Sequence, residues 1–257
     1  MKRLLRMLPG SGLGVNDRLR LNMKISLAVL TALATLTISA AKLQAAEEEG
    51  VALAIVYDTS GSMRETVIDK RGNPSPKYLI ANRALITIAK QIQAFATNSV
   101  TGTARKIEAG LFIFNSPGAR EAVAFGPFDA AAIENWATTF TNPAGNTPLG
   151  NALNTAAQAV LKSPLPRKHV LVITDGISNT GPPPAAVFPR LKQQAEGKHT
   201  LISVHFVAFD IEAKVFDPVK KLGATVVGAA DENQLNSQLQ FILQKKILLE
   251  EEEPPKK

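Results

Sequence analysis

The sequence predicts an α/β fold: doubly wound, with a mainly parallel central sheet flanked by helices, in a single domain. Three observations carry that prediction. Val51-Ala-Leu-Ala-Ile-Val-Tyr57 is an unbroken apolar run of strand length, as a strand buried on both faces requires. From residue 50 onward such runs alternate with segments of helical spacing, which implies crossover connections between parallel strands. The chain has 257 residues, of which 45% are hydrophobic. That is enough for one domain with a proper core, and no internal repeat divides it.

After the first strand, Lys77 to Thr97 places Leu85, Ile88, Ala89, Ile92 and Phe95 on one helical stripe. Ile107 to Phe114 reads as a second strand, and Glu121 to Phe125 as a shorter one at an edge. The cleanest amphipathic helix carries Leu149, Ala152, Leu153, Ala156, Ala157, Val160 and Leu161. Then follow a strand His169 to Thr174, a helix Ala185 to Glu196 and a strand Leu201 to Phe209. A short helix Val215 to Leu222, a strand Ala224 to Val227 and a closing helix Glu232 to Leu249 complete the alternation.

The chain contains no cysteine. Disulfides, thiolate metal sites, a thiol nucleophile and lipid attachment to an N-terminal cysteine are all excluded. The net charge of +7 suggests nucleic acid until its location is considered. Of 29 basic and 22 acidic residues, seven and one lie in residues 1–45, leaving 22 and 21 in the remainder. The body is nearly neutral and offers no nucleic-acid footprint. Residues 1–45 have the form of a secretory signal peptide: basic residues, the apolar run Ile25 to Ala41, then the small residues Ala45 and Ala46. The stretch before Met23 is long for such a leader, which makes Met23 an alternative start. An uncleaved leader would instead anchor the chain to a membrane. The expected organisation is therefore a leader at 1–45, a domain at 46–249, and a charged, solvated tail at 250–257. The expected location is the periplasm or the cell exterior.

Ligands of an open parallel sheet sit outside the carboxyl ends of its strands. After the first strand comes Asp58-Thr-Ser60-Gly-Ser62-Met63, and after the strand His169 to Thr174 comes Asp175-Gly176. Just ahead of the clean helix lies Gly145-Asn-Thr147-Pro148. Asp58, Ser60, Ser62, Thr147 and Asp175 thus bring two carboxylates and three hydroxyls to one edge. Hard oxygen donors of this kind suit magnesium, with calcium or manganese also compatible, rather than zinc or copper. Two carboxylates only neutralise a dication, so the ion retains affinity for one more anionic oxygen, such as a partner's Asp or Glu.

Each residue also has an ordinary explanation. Asp and Ser make side-chain-to-backbone turns at strand ends. Thr147 and Pro148 suit the cap and first position of a helix, and Asp175-Gly176 suits a turn. Their convergence on one edge favours the metal site. His169, His199 and His205 lack ligand-like spacing and read as structural. Trp136 and the phenylalanines read as packing, and the lysines at 220–221 and 245–246 as solvated helix faces.

Asp58-x-Ser60-x-Ser62, Thr147 and Asp175 in this order resemble the metal-ion-dependent adhesion site of von Willebrand factor type A domains. The resemblance runs from about Val51 to about Leu243 and includes Lys221-Leu-Gly-Ala-Thr-Val-Val227, similar to the penultimate helix and last strand of bacterial members. It implies direct coordination by Ser60, Ser62 and Thr147, with Asp58 and Asp175 acting mainly through water. The family commonly has a second glycine before the threonine, where this chain has Asn146.

The function expected is an exported, metal-dependent protein-binding module for adhesion or assembly, docking a partner's acidic residue on the ion. The loop Arg64 to Pro76 and the segment Phe125 to Asn146 would form its rim. The alternative is a single-metal hydrolase of a phosphate or carboxylate ester. Against it, no second ligand cluster, general base or Gly-rich phosphate loop is readable, so no enzyme is expected.

Overall fold

The structure is a computed structural model that describes residues 50–97, 105–115 and 118–249. The leader and the tail lie outside the described residues. Six strands form the central sheet in the order β5-β4-β1-β6-β7-β8. They are β1 (Gly50–Tyr57), β4 (Lys106–Asn115), β5 (Gly118–Pro127), β6 (Arg167–Thr174), β7 (Ile202–Phe209) and β8 (Thr225–Ala229). All neighbours pair in parallel except β4 and β5, which are antiparallel with register shifts.

All eight residues of β1 are buried, the unbroken apolar run being flanked by strands and covered on both faces. Val51, Leu53, Ile55 and Tyr57 face one core layer. That layer is completed by α1 (Lys77–Thr97), α2 (Ala130–Thr139) and α6 (Glu232–Ile242). Ala52, Ala54 and Val56 face the other, against α3 (Leu149–Lys162) and α4 (Pro184–Glu196). The small side chains on that face of β1 let α3 lie close, and its whole apolar stripe is buried. Full burial of a side chain such as Leu153 contributes about 1.5–3 kcal/mol. Gly150 allows the close approach of α3 to the 182–183 segment, where an added Cβ would lie 2.1 Å from Pro182 O.

The order of the strands decides where a site can form. From β1 the chain moves outward through β4 to β5, then returns to β6 on the other side of β1 and moves outward to β8. The winding reverses between β1 and β6, the position at which an open parallel sheet forms its ligand crevice, outside the carboxyl ends of the strands. Tyr57 pairs with Ile173, and the next residue, Asp58, donates its N–H to Ile173 O at 3.0 Å.

The expected elements are present, with five differences. Residues within the segment Phe125 to Asn146 form α2, capped by Asp129, whose side chain accepts from Ala132 N at 3.0 Å. The loop Arg64 to Pro76 contains a small antiparallel hairpin, β2 (Thr66–Ile68) with β3 (Pro74–Pro76). The edge strand β5 is longer than Glu121 to Phe125. The closing helix becomes a π-helical turn at Leu243–Leu248, which keeps Leu243, Ile247 and Leu248 buried. The short segment before β8 is a 3₁₀ turn (Ala213–Phe216) running into α5 (Asp217–Lys221). Among the described residues, no helix is long and apolar enough to cross a membrane.

Candidate metal centre

The five residues singled out by sequence sit on three loops at the β1–β6 crevice, and four of them are linked directly by hydrogen bonds. Asp58 is fully buried at the end of β1. Its Oδ1 accepts from Ser60 N at 2.8 Å and its Oδ2 from Thr174 Oγ1 at 2.6 Å. The ordinary turn is therefore real, yet it uses only one carboxylate oxygen. Ser60 Oγ and Ser62 Oγ are 3.0 Å apart, and Ser62 Oγ donates to Asp175 Oδ1 at 2.8 Å. A hydroxyl whose proton is committed to a carboxylate keeps its lone pairs for a cation.

Thr147 comes from the third loop. Helix α3 begins on Leu149 with Pro148 as its cap residue, so Thr147 lies one position too early to cap it. Its backbone is clamped instead. Thr147 N donates to Asn179 Oδ1 at 2.8 Å, and Asn179 N donates back to Thr147 O at 3.2 Å. Its hydroxyl oxygen lies 3.6 Å from where a Cβ at Gly176 would be, which places it against the residue that follows Asp175. Two backbone bonds tie the first loop to the third: Gly61 N to Gly145 O at 3.1 Å and Ala144 N to Thr59 O at 2.7 Å. Gly145 has φ of 88°, a left-handed conformation that glycine adopts without strain. Asn146, where the family commonly has glycine, is exposed.

The electrostatics are those of an under-compensated acidic pocket. Burial, and then the charge of Asp175, pushes the Asp58 carboxyl up to about 6 despite its hydrogen bonds. Burial also raises Asp175, while Ser62 and Lys77 pull it back. A divalent cation would relieve both. Among the described residues, no three His, Cys, Asp or Glu side chains converge as a metal cluster. Any ion here would rely on the hydroxyls as well as the two carboxylates. The donor set is all oxygen and fits a hard dication.

Sequence reasoning did not identify Lys77 as part of this centre. The lysine is 3% exposed and its Nζ lies 3.1 Å from Asp175 Oδ2, 2.8 Å from Glu65 Oε2 and 2.9 Å from Asp210 Oδ2. Burial lowers its pKa, but the hydrogen bonds to Glu65 and Asp210 and the charge of Asp175 outweigh that and hold it above the ordinary lysine range. Asp210 directly follows β7 at the same sheet edge, a position that the carboxyl-end rule could have flagged. Under the site, Tyr57 donates to Asn82 Oδ1 at 2.6 Å and packs edge-on against Trp136, with ring centroids 5.2 Å apart.

The histidines form no part of this centre. His169 and His205, from neighbouring strands, bring Nδ1 and Nε2 to 3.2 Å inside the sheet.

No protein-family model and no curated protein sequence matches the chain. Solved structures do. The PilB minor pilin from Streptococcus sanguinis is 17% identical with a TM-score of 0.56, over 76% of this chain and 60% of that one. The vWF domain of the type V pili tip protein Mfa5 from Porphyromonas gingivalis is 12% identical with a TM-score of 0.53, over 77% of this chain and 95% of that one. Proximal thread matrix protein 1 from the mussel byssus, solved with a zinc-occupied MIDAS motif, is 16% identical with a TM-score of 0.52, over 77% and 48% of the two chains. The chain thus spans about 60% of the pilin and about half of the matrix protein. With its strand order and these neighbours, it has the fold of a von Willebrand factor type A domain.

Proposed function

We propose that this chain is an exported, non-catalytic module that binds a protein partner through a divalent metal ion. Asp58, Ser60, Ser62, Thr147 and Asp175 would hold the ion, with magnesium the natural choice and calcium or manganese compatible. The observation that carries the reading is the chain of hydrogen bonds from Ser60 through Ser62 to Asp175 beside a fully buried Asp58. When bound, a dication supplies a coordination place for one carboxylate oxygen of a partner's Asp or Glu.

The residues themselves do the rest. Asp58 and Asp175 supply charge from fixed positions, because each has both oxygens engaged by protein donors. The serines' hydrogen bonds run to each other and to Asp175 rather than to an imidazole, which favours binding over acyl transfer. Exposed Ile177, next to Gly176, and Arg64, whose side chain donates to Asn142 at 2.8 Å, flank the crevice. They would supply the contacts beyond the single carboxylate that affinity requires. Similarity to pilus and matrix proteins suits adhesion or assembly.

Calorimetric titration of manganese into the protein and its Asp58→Ala variant tests this. The expected result is saturable one-to-one binding in the wild type and none in a variant of unchanged circular dichroism. Equal binding by both, or no binding by the wild type, would rule the reading out.

A further inference from the structure

Lys77 is not explained by a metal site. A positive charge beside a cation site opposes loading, and burying an ammonium is costly unless its donors are paired. Here every one is. An ammonium has three N–H donors, and Lys77 faces three carboxylates: Glu65 from the end of the first loop, Asp175 from the end of β6, and Asp210 from the end of β7. Asp210 takes φ of 55°, a left-handed backbone that aspartate adopts more readily than most non-glycine residues. The Asp175 side chain is 0% exposed and is held on both sides, Oδ1 by Ser62 and Oδ2 by Lys77. Without Lys77, Oδ2 would be released.

We propose that Lys77 is a positioning residue that holds Asp175 back from direct coordination, so that a bound ion keeps one place open for an incoming carboxylate. The inference rests on the metal-binding reading above and adds to it a reason for the buried cation. It predicts that loading and partner capture respond in opposite directions when Lys77 is removed. A merely structural lysine would weaken both.

The experiment compares the full chain with Lys77→Met and Lys77→Arg, with manganese alone as the first probe and acetate added to the manganese-loaded protein as the second. Lys77→Met is expected to bind manganese about tenfold tighter, since a neighbouring positive charge is gone. The water-proton relaxivity of its manganese complex should fall, because Asp175 displaces a water. Its acetate affinity should fall several-fold, whereas Lys77→Arg stays near the wild type in all three. Weaker or unchanged manganese binding by Lys77→Met overturns the proposal, and so does tighter binding with unchanged relaxivity. If circular dichroism finds Lys77→Met unfolded, Lys77→Gln is read by the same criteria. A wild type that binds no manganese removes the metal reading itself, a result distinct from any of these.

Discussion

At the carboxyl ends of β1 and β6, Asp58 and Asp175 are buried as acids; within β6 and β7, His169 and His205 are buried as bases. The two clusters meet the same difficulty, that burial disfavours charge, and resolve it differently. Around the acids the chain gathers donors: the Ser60 amide, the hydroxyls of Ser62 and Thr174, and the Lys77 ammonium. The histidine rings pack on each other, stacked 5.5 Å apart and 20° from parallel. Burial, then His205 and Arg167, lower His169 to about 3, while burial and Lys246 lower His205 to about 4. Beside a cation the acids would keep their charge, whereas the imidazoles stay neutral. A buried polar group that keeps an uncompensated charge marks a place for a ligand; one that has given up its charge serves the fold.

The two clusters should therefore respond to pH with opposite sign. The histidines titrate at 6.5 when unfolded and near 3 and 4 when folded. Their stabilising effect is complete above pH 6.5 and is lost as the pH falls towards 3, because only the unfolded chain accepts protons there. From pH 7 to pH 4 the loss amounts to roughly 5 kcal/mol. The double variant His169→Leu/His205→Leu should remove this dependence in urea unfolding with chelator present. A double variant that retains the acid-induced loss would refute the assignment.

Asp58 acts the other way. Its folded value near 6 exceeds the ordinary 3.8, so the metal-free protein becomes less stable as the pH rises through that interval. Asp58→Asn should stabilise the metal-free protein at pH 7 by roughly 2–3 kcal/mol, and manganese should no longer raise its melting temperature. Destabilisation by this substitution would break the contrast between the clusters. The smallest effect belongs to Ser62→Ala, which removes hydrogen bonds to Ser60 and Asp175. About 1 kcal/mol of stability should be lost by chemical unfolding, together with a clear weakening of manganese binding. Unchanged manganese affinity would remove Ser62 from the ligand set.

How legible each cluster was follows from range. Asp58, Ser60 and Ser62 are close in sequence, and Thr147 and Asp175 flank recognisable elements, so strand-end logic brought them together. In the sequence Lys77 is no more than the start of a helix, because its contacts with Asp175 and Asp210 lie far away in the chain. The pairing of His169 with His205 depends on the β6–β7 register, in which Leu171 lies opposite His205; no sequence spacing encodes it. Helix α2 buries only Ile133 and Ala137 fully, too short a stripe to stand out, although Asp129 is an ordinary cap residue. The order β5-β4-β1-β6-β7-β8 was not derivable from alternation alone, which gives parallel strands but not which of them are neighbours.

The bonds from Gly61 to Gly145 and from Ala144 to Thr59 run between main-chain atoms. Side-chain replacement at the exposed Ala144 or Asn146 leaves them in place, so the alignment of the two loops is insulated from much of the drift that surface positions undergo. Their amide protons should exchange with solvent more slowly than those of the neighbouring loop residues. If this edge binds a partner as proposed, its exposed residues can be exchanged one at a time while the geometry of the centre is kept.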